Sequence, residues 1–164
     1  MRPPTQATAS AAEPQEQRPD DSAPAVPLPG LQLASVALYV ADLARSVRFY
    51  RELLRLTVSA ETGTAALLVG ANGTQLYLRS VGSRAPHVVG GLGVQCTVWT
   101  AASAAELVRC EQVLKNWNAY TTSRTDEGFD WVEGRDPSGV PVMVSYPGPE
   151  HAPRRRIMPR IYAW

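Results

Sequence analysis

Ser35-Val36-Ala37-Leu38-Tyr39-Val40-Ala41-Asp42-Leu43-Ala44-Arg45-Ser46-Val47-Arg48-Phe49-Tyr50 changes its hydrophobic period part-way along. Residues 35–40 are an apolar and β-branched run of strand length, and Asp42 then stands where a helix N-cap is wanted. Beyond it Leu43, Val47, Tyr50 and Leu54 fall on one stripe, with Arg45, Arg48, Arg51 and Glu52 mostly on the other side. That spacing predicts an amphipathic helix of about four turns. Two apolar runs follow, residues 56–60 and 65–69. Asn72-Gly73 then predicts a hairpin into Gln75-Leu76-Tyr77-Leu78, because both residue types tolerate positive φ. The first half therefore reads β-α-β-β-β.

The order repeats after a linker, residues 80–91, which contains Gly, Pro and His87. Residues 94–99 predict a strand. Ser103-Ala104-Ala105-Glu106 fits a capping box opening a second helix, whose buried stripe is Leu107, Cys110, Leu114 and Trp117. Strands are expected at 119–124 and 131–135. Asp136-Pro137-Ser138-Gly139 is a turn, and residues 140–146 form a last strand. Two copies of one supersecondary unit imply an internally duplicated α+β domain.

Outside the duplication the composition shifts. Residues 1–30 hold seven of the 14 prolines and almost no large apolar side chains. Such a segment buries too little surface to offset its ordering entropy, so a disordered extension is expected. The domain proper is assigned to residues 31–149, and a basic and apolar tail to residues 150–164. That tail contains Arg154, Arg155, Arg156 and Arg160, read as a solvated cluster rather than a phosphate-contacting patch. Its Ile157, Met158, Ile161, Tyr162 and Trp164 are expected to dock on a surface within or between subunits. A net charge of +1 argues against a dedicated nucleic-acid binder. No apolar stretch reaches the length of a membrane span, no secretory signal is legible, and two cysteines make no disulfide framework. A cytoplasmic protein is the expectation.

The run from Ser35 to Ser46, followed by Phe49-Tyr50 and Leu53-Leu54, resembles the opening of the glyoxalase and bleomycin-resistance domains of the vicinal-oxygen-chelate superfamily. Gly90-Gly91-Leu92-Gly93-Val94 resembles the entry to their second module, and Arg135-Asp136-Pro137-Ser138-Gly139 their late turn. The resemblance implies two βαβββ modules whose curved mixed sheets enclose a shared cleft, with helices outside. In metal-bearing members each module supplies a His from its first strand and a carboxylate from its last. Carried over by position, those places hold Ser35, Gln75, Val94 and Met143. None suits a divalent ion that needs imidazole and carboxylate donors, so no metal and no cofactor are expected. Lyase, isomerase and dioxygenase chemistries of the superfamily use that metal, so they lose their expected ligands here.

Alternation along the strands then gives a candidate ligand-binding lining of Ser35, Ala37, Tyr39, Gln75, Tyr77, Val94, Cys96, Met143 and Ser145. This is an apolar and aromatic set with a few hydroxyl and amide groups, suited to a small-molecule pocket or to plain core packing. Cys96 has no neighbouring activator and reads as a filler rather than a nucleophile. His87 and His151 read as surface residues, and Asp126, Glu127 and Asp130 as a solvated acidic loop. Trp99 and Trp117 are expected to pack helix on sheet, whereas the facing of Trp131 is open. The functional expectation is metal-independent binding or sequestration of a small, partly aromatic organic molecule by a homodimer, with no nucleic-acid or membrane partner and no catalytic residue. Its rivals are a superfamily enzyme with an atypical or absent metal site, and a structural module whose filled cleft binds nothing.

Overall fold

The computed structural model describes residues 33–84, 94–126 and 128–148. The proline-rich extension, most of the 80–91 linker with His87, Glu127, and the tail with His151 lie outside the described residues. In chain order the elements are β1 (Ser35–Val40), α1 (Leu43–Leu54), β2 (Thr57–Glu61), β3 (Ala65–Val69), β4 (Gln75–Ser80), β5 (Thr97–Thr100), α2 (Ala104–Asn116), β6 (Tyr120–Asp126), β7 (Phe129–Arg135) and β8 (Pro141–Tyr146). They form two four-stranded mixed sheets ordered β1-β4-β3-β2 and β5-β8-β7-β6. In each sheet the first strand pairs parallel to the last, and the remaining pairs are antiparallel. This is the duplicated βαβββ α+β architecture that the two periods predict.

Both helices begin where the polar caps stand. The Asp42 carboxylate accepts from Arg45 N–H, and Ser103 Oγ accepts from Glu106 N–H. Only that half of the expected capping box is used by Glu106. Its carboxylate instead receives Arg55 Nε at 3.0 Å and Arg109 Nη2 at 2.6 Å. The buried side of α1 is wider than the expected stripe: Phe49 and Leu53 are fully buried, while Leu54 is only half-buried. The reason is that α1 touches α2 as well as its own sheet. Phe49 meets the Trp117 ring edge-to-face at 5.5 Å, and Arg109 donates to the Glu52 and Leu53 carbonyls at the end of α1.

One hydrophobic core runs through both modules, from Leu38, Val40 and Leu76 to Leu114, Val142 and Val144. A second link joins the modules at the late turn. Asp136 Oδ1 accepts from the Ser138 and Val140 N–H groups, and its Oδ2 accepts from the Tyr50 hydroxyl at 2.9 Å. Ser138 Oγ in turn accepts from Ala41 N–H, at the end of β1.

Three local expectations are corrected. The strand expected at 94–99 begins only at Thr97, so Val94, Gln95 and Cys96 are irregular chain before it. In the Asn72-Gly73 turn only Gly73 has positive φ, +83°; Asn72 acts through its side chain, accepting from Thr74 N–H. Asp126, opposite Phe129, and Asp130, opposite Thr125, are strand residues of the β6–β7 hairpin rather than members of a longer loop. Among the described residues no helix is long and apolar enough to cross a membrane.

Candidate functional site

The start of β1 and the run from Val94 to Thr100 face each other across a cavity of about 660 Å³. Ser35 and Ala37 form one wall; Val94, Cys96 and Val98 form the other. Asn72 and Thr74 close one end. They arrive there because β4 runs parallel to β1, with Ser35 opposite Gln75. The turn leading into β4 must therefore lie beside the beginning of β1, and Gln75 N–H donates to the Ala34 carbonyl at 3.1 Å. Trp99, its indole N–H donating to Thr97 Oγ1 at 3.0 Å, also lines a second cavity of about 540 Å³ on the α1 and α2 side. Asn72, Thr74, Trp99 and Thr100 line both.

Four of the nine residues expected to line a pocket, Ser35, Ala37, Val94 and Cys96, meet in the larger cavity. The other five do not line it. Tyr39 and Tyr77 stand exposed on the face of the first sheet that points away from the helices, at 65% and 43% exposure. Tyr77 Oη donates to the half-buried Gln75 amide oxygen there, at 3.2 Å. Met143 and Ser145 are fully buried, and Ser145 Oγ donates to the Trp99 carbonyl. The two sheets differ: the face carrying Tyr39 and Tyr77 is open in the first, and the face carrying Met143 and Ser145 is closed in the second.

The closed face holds residues that sequence reasoning left unassigned. Phe129, Trp131 and Met143 form a small buried cluster, with Cys96 packed against it. Glu133 is buried on the same face, opposite Met143, and accepts from the Trp131 indole N–H at 2.8 Å. Only the i, i+2 spacing of Trp131 and Glu133 signals this pair, and the spacing becomes informative once the strand is known to be covered. Burial pushes the Cys96 thiol up to about 12; the Glu133 carboxylate adds to the effect and a backbone hydrogen bond from Met143 opposes it. At neutral pH the side chain is a protonated, uncharged thiol. Both cysteines are free.

Residues 32–144 match the sequence model of the Glyoxalase/Bleomycin resistance protein/Dioxygenase superfamily. The chain belongs to this superfamily. Its fold is shared by a glyoxylase/bleomycin resistance protein/dioxygenase domain from Frankia sp. EAN1pec, with 22% identity over 72% of this chain and 97% of that one, at a TM-score of 0.61. It is also shared by the lactoylglutathione lyase of Agrobacterium tumefaciens, with 21% identity over 72% and 95% of the two chains, TM-score 0.56. The fosfomycin resistance protein of Mesorhizobium loti is a third, with 10% identity over 76% and 97%, TM-score 0.58. No curated protein sequence matches the chain.

Superfamily membership makes the equivalence of the two modules a test of the expected ligand positions. Ser35 lies seven residues before the N-cap Asp42, and Cys96 lies seven before the N-cap Ser103. The counterpart of Ser35 is therefore Cys96 and not Val94, which lies nine residues before that cap. Ala37 pairs with Tyr77, and its counterpart Val98 pairs with Met143. The last-strand counterpart of Met143 is then Tyr77 rather than Gln75. The equivalent set is Ser35, Tyr77, Cys96 and Met143: a hydroxyl, a phenol, a protonated thiol and a thioether. These donors do not fit a divalent ion of the zinc, iron or manganese kind. Among the described residues no group of three or more His, Cys, Asp or Glu side chains converges as a metal site.

Proposed function

We propose that this superfamily member binds and sequesters a small organic molecule, a drug or a metabolite, without a metal. The observation that carries the reading is the cavity of about 660 Å³ lined by both Ser35 and Cys96, which stand equally far before the helix N-caps of the two modules. Its volume falls in the range of small-molecule pockets, roughly 300–1,000 Å³. Its walls combine aliphatic and indole surface with hydroxyl and amide groups. Two measurements test the reading. Elemental analysis after dialysis without chelator is expected to find no stoichiometric zinc, iron, manganese or nickel. A thermal-shift screen of aromatic drugs and metabolites is expected to yield ligands that raise the melting temperature, since anything binding only the folded state stabilises it by mass action. A stoichiometric metal, or a screen without ligands, defeats it.

A second reading, an enzyme of the superfamily working with an atypical site or none, is favoured by Glu133. A buried carboxylate beside Cys96 and Met143 is a candidate acid or base. Turnover that is lost in Glu133→Gln while ligand affinity survives supports the enzyme. Unchanged turnover in that variant removes Glu133 from it.

A further inference from the structure

The charge of the ligand follows from the cavity wall, provided that the larger cavity is the binding site proposed above. Its polar groups are the hydroxyls of Ser35, Thr74, Thr97 and Thr100, the Asn72 amide and the Cys96 thiol. The rest of the described wall is aliphatic or indole. Among the described residues no Asp, Glu, Lys, Arg or His lines it. The thiol stays protonated, because burial and the Glu133 carboxylate both disfavour the thiolate. Charged side chains do stand nearby, in the second cavity, which shares Asn72, Thr74, Trp99 and Thr100 with this one. There Arg55 and Glu106 are 3.0 Å apart and satisfy each other.

An ion settling against this partly open wall gives up part of its hydration and, among the described residues, finds no counter-charge, whereas a neutral hydrogen-bonding group finds hydroxyl and amide partners. We infer that the cavity takes an uncharged organic molecule, an apolar or aromatic body bearing amide, hydroxyl or carbonyl groups, and discriminates against carboxylates, phosphonates and ammonium ions of the same size.

Matched triplets of one- and two-ring aromatic probes test it, each an aryl carboxamide, the corresponding carboxylate and the corresponding aminomethyl compound. Affinities are read by thermal shift and calorimetry on the full chain at neutral pH. The carboxamide is expected to bind tighter than either charged partner by at least about tenfold. Ser35→Asp puts a carboxylate into the wall at an exposed strand position. It is expected to raise affinity for the aminomethyl compounds and to weaken the carboxylates further. Ala37→Asp, also exposed, serves the same purpose should the first variant misfold. Carboxylates or amines that bind as well as the carboxamides overturn the charge rule and leave the binding reading standing. An unchanged ranking in both folded variants places the ligand elsewhere and also overturns the rule. If no member of any triplet binds, the binding reading falls and takes the rule with it.

Discussion

Tyr50 and Asp136 stand 86 residues apart and meet through one buried hydrogen bond. Burial first, and the Asp136 carboxylate second, hold the Tyr50 phenol well above its ordinary value, so it remains a donor throughout the working pH range. Tyr50→Phe leaves Asp136 its two backbone donors but removes the phenol hydrogen bond to Oδ2. The expected cost is about 1–3 kcal/mol of unfolding free energy in urea titration. An unchanged midpoint would mean that water replaces the phenol. Cys96 gives a second prediction at this scale. Its thiol rises from an ordinary 9.0 to about 12, so the folded protein holds the proton more tightly than the unfolded chain. Stability from this group is full below pH 9 and lost as pH climbs toward 12. Iodoacetamide should therefore modify native Cys96 at least about tenfold more slowly than the same residue in urea at pH 8. Equal rates would show an accessible thiolate.

Among the elements, α2 carries the junction. Its N-cap, its Arg109 donors to the end of α1, and Trp117 on Phe49 place one helix across both modules. The sheet it covers must come close, and Gly134 on β7 is where it does. A Cβ there would lie 2.6 Å from the Ala119 carbonyl oxygen and 2.7 Å from Leu114 Cδ2. The Ala119 carbonyl is pinned by Arg135 N–H at 2.8 Å, and Leu114 is fully buried, so neither yields cheaply. Gly134→Ala is expected to lose about 1–3 kcal/mol in chemical denaturation. A loss within experimental error would show that α2 slides on the sheet.

For the molecule as a whole, the asymmetry between the sheets matters most. The face of the second sheet that points away from the helices is buried at Trp131, Glu133, Met143 and Ser145. The corresponding face of the first sheet leaves Tyr39 and Tyr77 open. Exposed aromatic side chains on a strand face are what association would cover, and we propose a homodimer joined there. Sedimentation at micromolar concentration is expected to give a dimer, shifted toward monomer by Tyr77→Arg. A monomeric wild type defeats the proposal; a dimer indifferent to Tyr77→Arg moves the interface elsewhere.

How much was legible in advance differs by level. The two periods, the N-caps Asp42 and Ser103, and the turn at Asp136 set the element order and the duplication, because each is a local property of neighbouring residues. Alternation also assigned faces, since side chains leave a strand on opposite sides. What a face meets is not local. Whether Tyr77 is exposed while Met143 is buried depends on what covers each sheet, and no run of residues encodes that. The counterpart of Ser35 likewise moved from Val94 to Cys96 once the register set Val98 opposite Met143, as Ala37 stands opposite Tyr77. Asn72 and Thr74 joined the cavity only through the parallel pairing of β1 with β4, which brings a distant turn beside the first strand. Sequence alone determined the modules, and it put Ser35 and Met143, neither of them a His or a carboxylate, where the resemblance expects metal ligands. Tertiary packing decided which neutral groups share a cavity, because that depends on contacts between segments far apart in the chain.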